Sequence, residues 1–230
     1  MPTPPRSLAV SAPALAPVLA ILVATVLGSG PAHAQAVRYE IEPQRSTIHV
    51  VTRRAGVLGF LGHDHAILAT DWTGRICFAP DDPAASSVRV TVVTPSLVID
   101  TDRAMEVAGT SSRPDPETVE ELRTRMLSPE FLAAQEHPEI RFASRSVTAE
   151  GNGDLIVEGP LTLHGRTRIV RVPVTVTRAS DGTVRFEARL SPRMTDFGIE
   201  PETNFGVVDV ADAFDLVVDV VTRPTAEPCP

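Results

Sequence analysis

Apolar and polar residues alternate with a period of two along most of the chain beyond Val37, the pattern of strands with one face buried. Residues 46–54 (STIHVVTRR) predict a strand running into the glycine-rich turn 56–62. Residues 66–78 predict a second, with Gly74 as a bulge. In 87–100, Val88, Val90 and Val92 share one phase, and Val93 slips out of it just before Pro95. That slip predicts a bulge and an edge position. Strands resume at 140–149 and at 154–163, the latter after a Gly-Asn-Gly turn. In 166–178, Val170, Val172, Val174 and Val176 oppose Arg171, Pro173, Thr175 and Thr177; 184–190 and 213–221 alternate in the same way.

One stretch changes period. Asp115 is placed to cap a helix with Pro116 in its first turn, acidic residues early and Arg123 and Arg125 late, as the helix dipole favours. Val119, Leu122 and Met126 form its apolar stripe, and Ser128-Pro129 opens a short turn through Phe131 and Leu132. About eight antiparallel strands around one helical interlude predict an all-β domain, by pattern either a closed barrel or a sandwich. Neither an internal repeat nor a low-complexity linker divides it, so a single domain is expected.

The N-terminus does not share this pattern. Arg6 precedes the apolar run 15–27, a Gly/Ser/Pro break follows at 28–31, and Ala32-His33-Ala34 gives a small-x-small motif before Gln35. This predicts a secretory signal peptide over 1–34, and with it a periplasmic protein. The 230-residue chain has 21 Lys+Arg against 29 Asp+Glu, a charge of −8. Loss of Arg6 with the leader would leave 20 basic and 29 acidic groups, or −9. Every basic residue is arginine, which removes Schiff-base and phosphate-loop lysine chemistry. An acidic chain without a basic block is also a poor match for nucleic acid. No GxSxG elbow and no CxxC pair is present. Cys77 and Cys229 are compatible either with a disulfide, which an exported chain permits, or with two free thiols.

Four separated blocks then point to a family. They are YEIEPQRSTIHV (39–50), FLAAQEHPEIRF (131–142), GPLTLHGRTRIVRVPVTV (159–176) and DFGI (196–199). In order and spacing they resemble the YceI-like, polyisoprenoid-binding family of exported bacterial proteins, over nearly all of 36–222. The resemblance implies a lipocalin-like, extended eight-stranded antiparallel β-barrel with a helical segment across it, spanning 35–222, with 223–230 as a C-terminal tail. It also implies a non-enzymatic role, holding a long isoprenoid, quinone-like or other amphiphilic lipid inside. No cofactor is then required, the partner is the lipid, and a homodimer is left open.

The strand phases supply the expected lining of such a cavity: Phe60, Trp72, Ile76 and Phe78 from the first half, with Phe142, Leu163, Phe186 and Phe214 from the second. With one Trp and one Tyr in the chain, few large rings are available to plug the interior. The segment GFLGHDHAI (59–67) departs from the family pattern, whose histidine–glycine turn lies further upstream, where this chain has 53–56 (RRAG). In extended backbone His63 and His65 project to one side. The alternative function is therefore a metal-binding protein or metalloenzyme using His63 and His65 with a third ligand, His164 first, His49 and His137 after it. Asp64 would point away from such a metal and orient a ligand. Arg141, Arg166, Arg168 and Arg171 are expected on the solvated outer face.

Overall fold

The structure, a computed structural model, describes Met1 and residues 35–55, 64–111, 114–201, 203–204 and 208–229, with 203, 204, 208 and 209 known by backbone only. The leader predicted over 1–34, the turn 56–62, Phe60 and His63 lie outside the described residues.

In chain order the strands are β1 (Val37–Ile41), β2 (Thr47–Ala55), β3 (His65–Ala69), β4 (Trp72–Phe78), β5 (Ser87–Val93) and β6 (Leu97–Ile99). Two helices follow, α1 (Asp102–Ala108) and α2 (Pro116–Leu127). Then come β7 (Glu139–Ala143), β8 (Ser146–Gly151), β9 (Asp154–Leu163), β10 (Arg166–Arg178), β11 (Val184–Leu190), the short β12 (Thr203–Asn204) and β13 (Val208–Pro224). Several of these are halves of longer strands. A 3-10 turn at Pro43–Arg45 separates β1 from β2, and another at Thr94–Ser96 separates β5 from β6. Thr70-Asp71 separates β3 from β4, and Ser144-Arg145 separates β7 from β8. Pairing carries across each break: β1 and β2 lie against β4 and β3, and β5 and β6 against the same two.

Joined in this way, eight long antiparallel strands follow one another as an up-and-down meander. β13 closes the circle by pairing with both β2 and β1. The architecture is an eight-stranded lipocalin-like barrel. The alternation seen in the sequence is the alternation of its wall: in β9, Leu155, Val157, Gly159, Leu161 and Leu163 are buried and their neighbours are not.

Three expectations change. The phase slip before Pro95 is a 3-10 turn, not a bulge, and β5 is no edge strand, being paired with β4 and β7. Gly74 keeps the β4–β5 register without a shift; it is small because Ile41 packs over it, where a Cβ would come 2.5 Å from Ile41 Cδ1. The helical interlude holds two helices. α1 is capped by Thr101, whose hydroxyl accepts the Ala104 N–H, and it ends at Gly109 in the left-handed conformation. It packs Ala104 and Met105 on the outward faces of Ala66 and Leu68. α2 starts as expected, with the Asp115 carboxylate accepting from Glu117 N–H and Thr118 N–H. These bonds, that to the Thr118 N–H foremost, hold the Asp115 carboxyl below its ordinary range.

The tail is fastened. Cys77 and Cys229 form a disulfide with Cα atoms 5.9 Å apart, and the Thr225 N–H donates to Arg38 O.

Candidate functional site

The inward face of the barrel encloses a cavity of about 350 Å³, near the small end of the roughly 300–1,000 Å³ typical of ligand pockets. Its walls are aliphatic and aromatic along the whole length. At the end carrying the β8–β9 and β10–β11 turns, Phe78 and Phe186 meet edge to face at 5.4 Å, with Tyr39 within 6.2 Å of both rings. The Arg178 guanidinium covers Phe78 from outside at 5.7 Å. Toward the opposite, helical end, Leu122 and Met126 of α2 lean onto Ile48, Leu97 and Ile99. Beside them Leu161, Leu163, Phe197, Ile199 and Phe214 form a second cluster.

Trp72, Ile76, Phe78 and Phe142 all line this cavity, as do Leu163, Phe186 and Phe214. Phe214 shares the inward phase of Leu216, Val218 and Val220 on β13, and the register shift against β2 between Val210 and Phe214 leaves that phase unchanged. Several lining residues were missed: Phe131, Met194 and Ile199 lie in loops, where no periodicity marks them.

Polar groups on the lining are few, and two stand side by side. Across the register, Phe214, Thr52 and His65 occupy one row of β13, β2 and β3, and all three face the cavity. Thr52 is 7% exposed. The His65 ring is fixed from behind: its Nδ1 lies 2.6 Å from Asp100 Oδ2, while Asp100 Oδ1 accepts the Ala66 N–H at 2.7 Å. The Asp100 side chain is fully buried. Its backbone, at φ 50°, makes the corner between β6 and α1, a conformation that aspartate tolerates better than most residues. Nothing in the sequence joins residues 65 and 100; the β3–β6 pairing does.

The other histidines go elsewhere. His164 and Gly165, both at positive φ, form the two-residue turn of the β9–β10 hairpin. His164 Nδ1 lies 3.2 Å from the Phe197 carbonyl, and its ring stands edge-on to His137 at 5.5 Å. The structure therefore does not bring His164 to His65. Among the described residues no three His, Cys, Asp or Glu side chains are grouped to hold a metal ion. Asp64 does turn aside, toward β2: it accepts the Arg54 N–H at 3.2 Å and pairs with Arg53 at 3.5 Å. His49 is on the outer face opposite Val217, bordering a groove with Arg103 and Val107 of α1. Its Nδ1 is buried without a partner among the described residues. Burial pushes this imidazole below its ordinary value, the Arg189 charge adds to the effect and Asp219 opposes it. Arg171 is on the solvated outer wall, and Arg141 is exposed and paired with Glu139. Arg166 and Arg168 are exposed too, but they stand opposite Leu163 and Leu161 and so continue the inward-facing rows at the helical end, contrary to the expected outer-face position.

Residues 39–222 match the family model of the YceI-like domain. The chain belongs to the YceI-like family. It is 32% identical over 155 residues to Protein YceI of Escherichia coli, covering 65% of this chain and 69% of that one. It is 28% identical over 193 residues to a UPF0312 protein of Pectobacterium atrosepticum, covering 82% and 88%. Among solved structures, BcnA of Burkholderia cenocepacia superposes with a TM-score of 0.61 at 18% identity, over 79% of this chain and 99% of that one. A polyisoprenoid binding domain from Saccharophagus degradans, implicated in plant cell wall breakdown, superposes at 0.53 with 12% identity, over 83% and 100%. All four sequence blocks that carry the YceI resemblance, 39–50 through Val50, 131–142, 159–176 and 196–199, supply residues to one core cluster at the helical end. They are spaced along the chain because they are neighbours in the barrel.

Proposed function

We propose that the protein sequesters a long-chain isoprenoid or similar amphiphilic lipid in the barrel and carries it without transforming it. The observation that carries this reading is the cavity itself, elongated and walled by apolar side chains from the Phe78–Phe186 pair to α2. An apolar chain inside gains about 0.8 kcal/mol per buried methylene. Ten such groups give roughly 8 kcal/mol, a micromolar affinity before ordering costs. That gain needs no directional partner and no reactive group. The polyisoprenoid-binding description of the Saccharophagus domain supports the ligand class. Export to the periplasm is part of the proposal; it rests on the leader-like segment 1–34, and the Cys77–Cys229 disulfide suits an oxidising compartment.

The test is organic extraction of protein purified from its native source, followed by mass spectrometry, together with binding of long-chain isoprenoids to the delipidated protein. A stoichiometric lipid is expected. Recovery of none, with no isoprenoid binding, overturns the proposal.

A further inference from the structure

The outer wall carries a polar hollow that lipid sequestration does not use. The groove that His49 borders along α1 continues past it into a hollow of about 440 Å³, between the C-terminal end of the helix and the outward faces of β2, β13 and β11. Three strands set its floor. Arg189 of β11 stands opposite Val217 of β13, and Val217 stands opposite His49 of β2. Neighbouring strands lie about 4.8 Å apart, so the Arg189 and His49 backbones are about 10 Å from one another, with the short Val217 side chain between them.

Two polar side chains of this hollow are without a partner. His49 is 8% exposed, and its Nδ1 is sealed and unpaired. Thr110 Oγ1, just beyond the end of α1, is sealed and unpaired as well. The His49 Nε2 has no hydrogen-bond partner among the described residues either, but it is not one of the sealed atoms, and the ring lines the hollow. Buried polar groups are as a rule hydrogen-bonded, so an imidazole left in this state is a place for a ligand to supply the missing contact.

Of the charges around the hollow, one is unspent. Asp215 is held by Arg53 and by Ser191 Oγ, each at 2.6 Å, and Asp64 pairs with Arg53 at 3.5 Å. Asp219, on the other side of Val217, is taken by Arg185, and Arg54 is engaged as well. Arg189 makes neither a hydrogen bond nor an ion pair among the described residues. Its charge is felt at the His49 imidazole, a sign that the two are close. A single free guanidinium beside an imidazole N–H suits a single carboxylate, whose two oxygens match the flat fork. A phosphate dianion would ask for a second cation, and the neighbouring arginines are spent.

We propose that Arg189 and His49 form a binding site for a small free carboxylic acid, held as its anion on the outer wall beside α1. The Arg189 fork grips the carboxylate, and the His49 Nε2–H donates to one of its oxygens.

The experiment titrates sodium acetate into the full protein at constant pH and ionic strength, with sodium chloride and inorganic phosphate as comparison anions. The His49 ring signal is followed by NMR and assigned by its loss in His49→Leu. A saturable shift is expected with acetate, at a Kd of about 1–10 mM, with chloride and phosphate at least about tenfold weaker. Arg189 is exposed, so Arg189→Gln leaves the fold and the His49 signal in place, and in it acetate binding weakens about tenfold. A shift that stays linear in acetate, phosphate binding as tight as acetate, or an unchanged affinity in Arg189→Gln overturns the site. The hollow lies outside the barrel, so each of these results is independent of what the cavity holds.

Discussion

Ala188 offers a direct measurement of whether the barrel interior is open. It lies on β11 between Val174 and Val218, inward and on the cavity wall. Ala188→Leu adds three carbons. In an open cavity these bury at about 0.8 kcal/mol each, roughly 2.4 kcal/mol in all, less about 0.5–1 kcal/mol for fixing the new side chain. The net is a stabilisation of about 1.5–2 kcal/mol. In a filled core the same change overpacks and costs about 1–3 kcal/mol. The two cases differ in sign. For a domain of this size 1 kcal/mol moves Tm by about 2–4 °C, so thermal unfolding of the delipidated variant is expected about 4 °C above the parent. The same volume is lost to the ligand, so lipid affinity falls as Tm rises. A delipidated Ala188→Leu protein that melts below the parent refutes the open cavity and the carrier reading built on it.

Other consequences are as direct. Replacing Cys77 and Cys229 by Ser opens a bridge between residues 152 apart in sequence; chain entropy sets the loss at up to about 5 kcal/mol, read as a lower urea midpoint. The folded-state pKa of His49 is lowered, by burial first. The unfolded chain therefore takes up the proton more readily, and stability is fully present above the ordinary imidazole value near 6.5 and declines as pH falls below it. His49→Leu should flatten urea midpoints measured between about pH 5 and 8, and an unchanged slope would show that His49 is not the responsible group. Gly159→Ala would set a Cβ 2.1 Å from Ala143 O, where the wall bends between β7 and β8. A loss of about 1–3 kcal/mol is expected in the same assay, and a neutral result would mean the bend is free to move.

Much of this was legible in the sequence because a barrel wall imposes a strict period of two. Leu155 to Leu163 and Val170 to Val176 could be assigned a face from that period alone. Trp72, Phe142, Phe186 and Phe214 could be placed inside for the same reason. The breaks were less visible: Thr70-Asp71 carries no strong turn signal, and Pro95 reads equally as an edge proline or as part of a 3-10 turn. α1 was missed although Thr101 and Gly109 mark its ends, because a seven-residue helix with two buried side chains, Ala104 and Met105, shows too little periodicity. His65 was recognisable as a residue able to act, but its partner was not. The first expectation paired it with another histidine, whereas the β3–β6 pairing delivers Asp100 from 35 residues away.

The meander has one seam. Each long strand lies beside its predecessor in the chain, except where β13 meets β1 and β2, the last strand joining the first. Hairpins form from local contacts, whereas this pairing must close a loop of almost the whole domain, the slow kind of contact. An enclosed interior therefore exists only once the chain is complete, and a fragment lacking β13 has walls but no vessel. Cys77 sits opposite Arg38 of β1, one strand away from that seam, and Cys229 lies five residues beyond the end of β13. The bridge acts as a latch, set after the last strand has arrived.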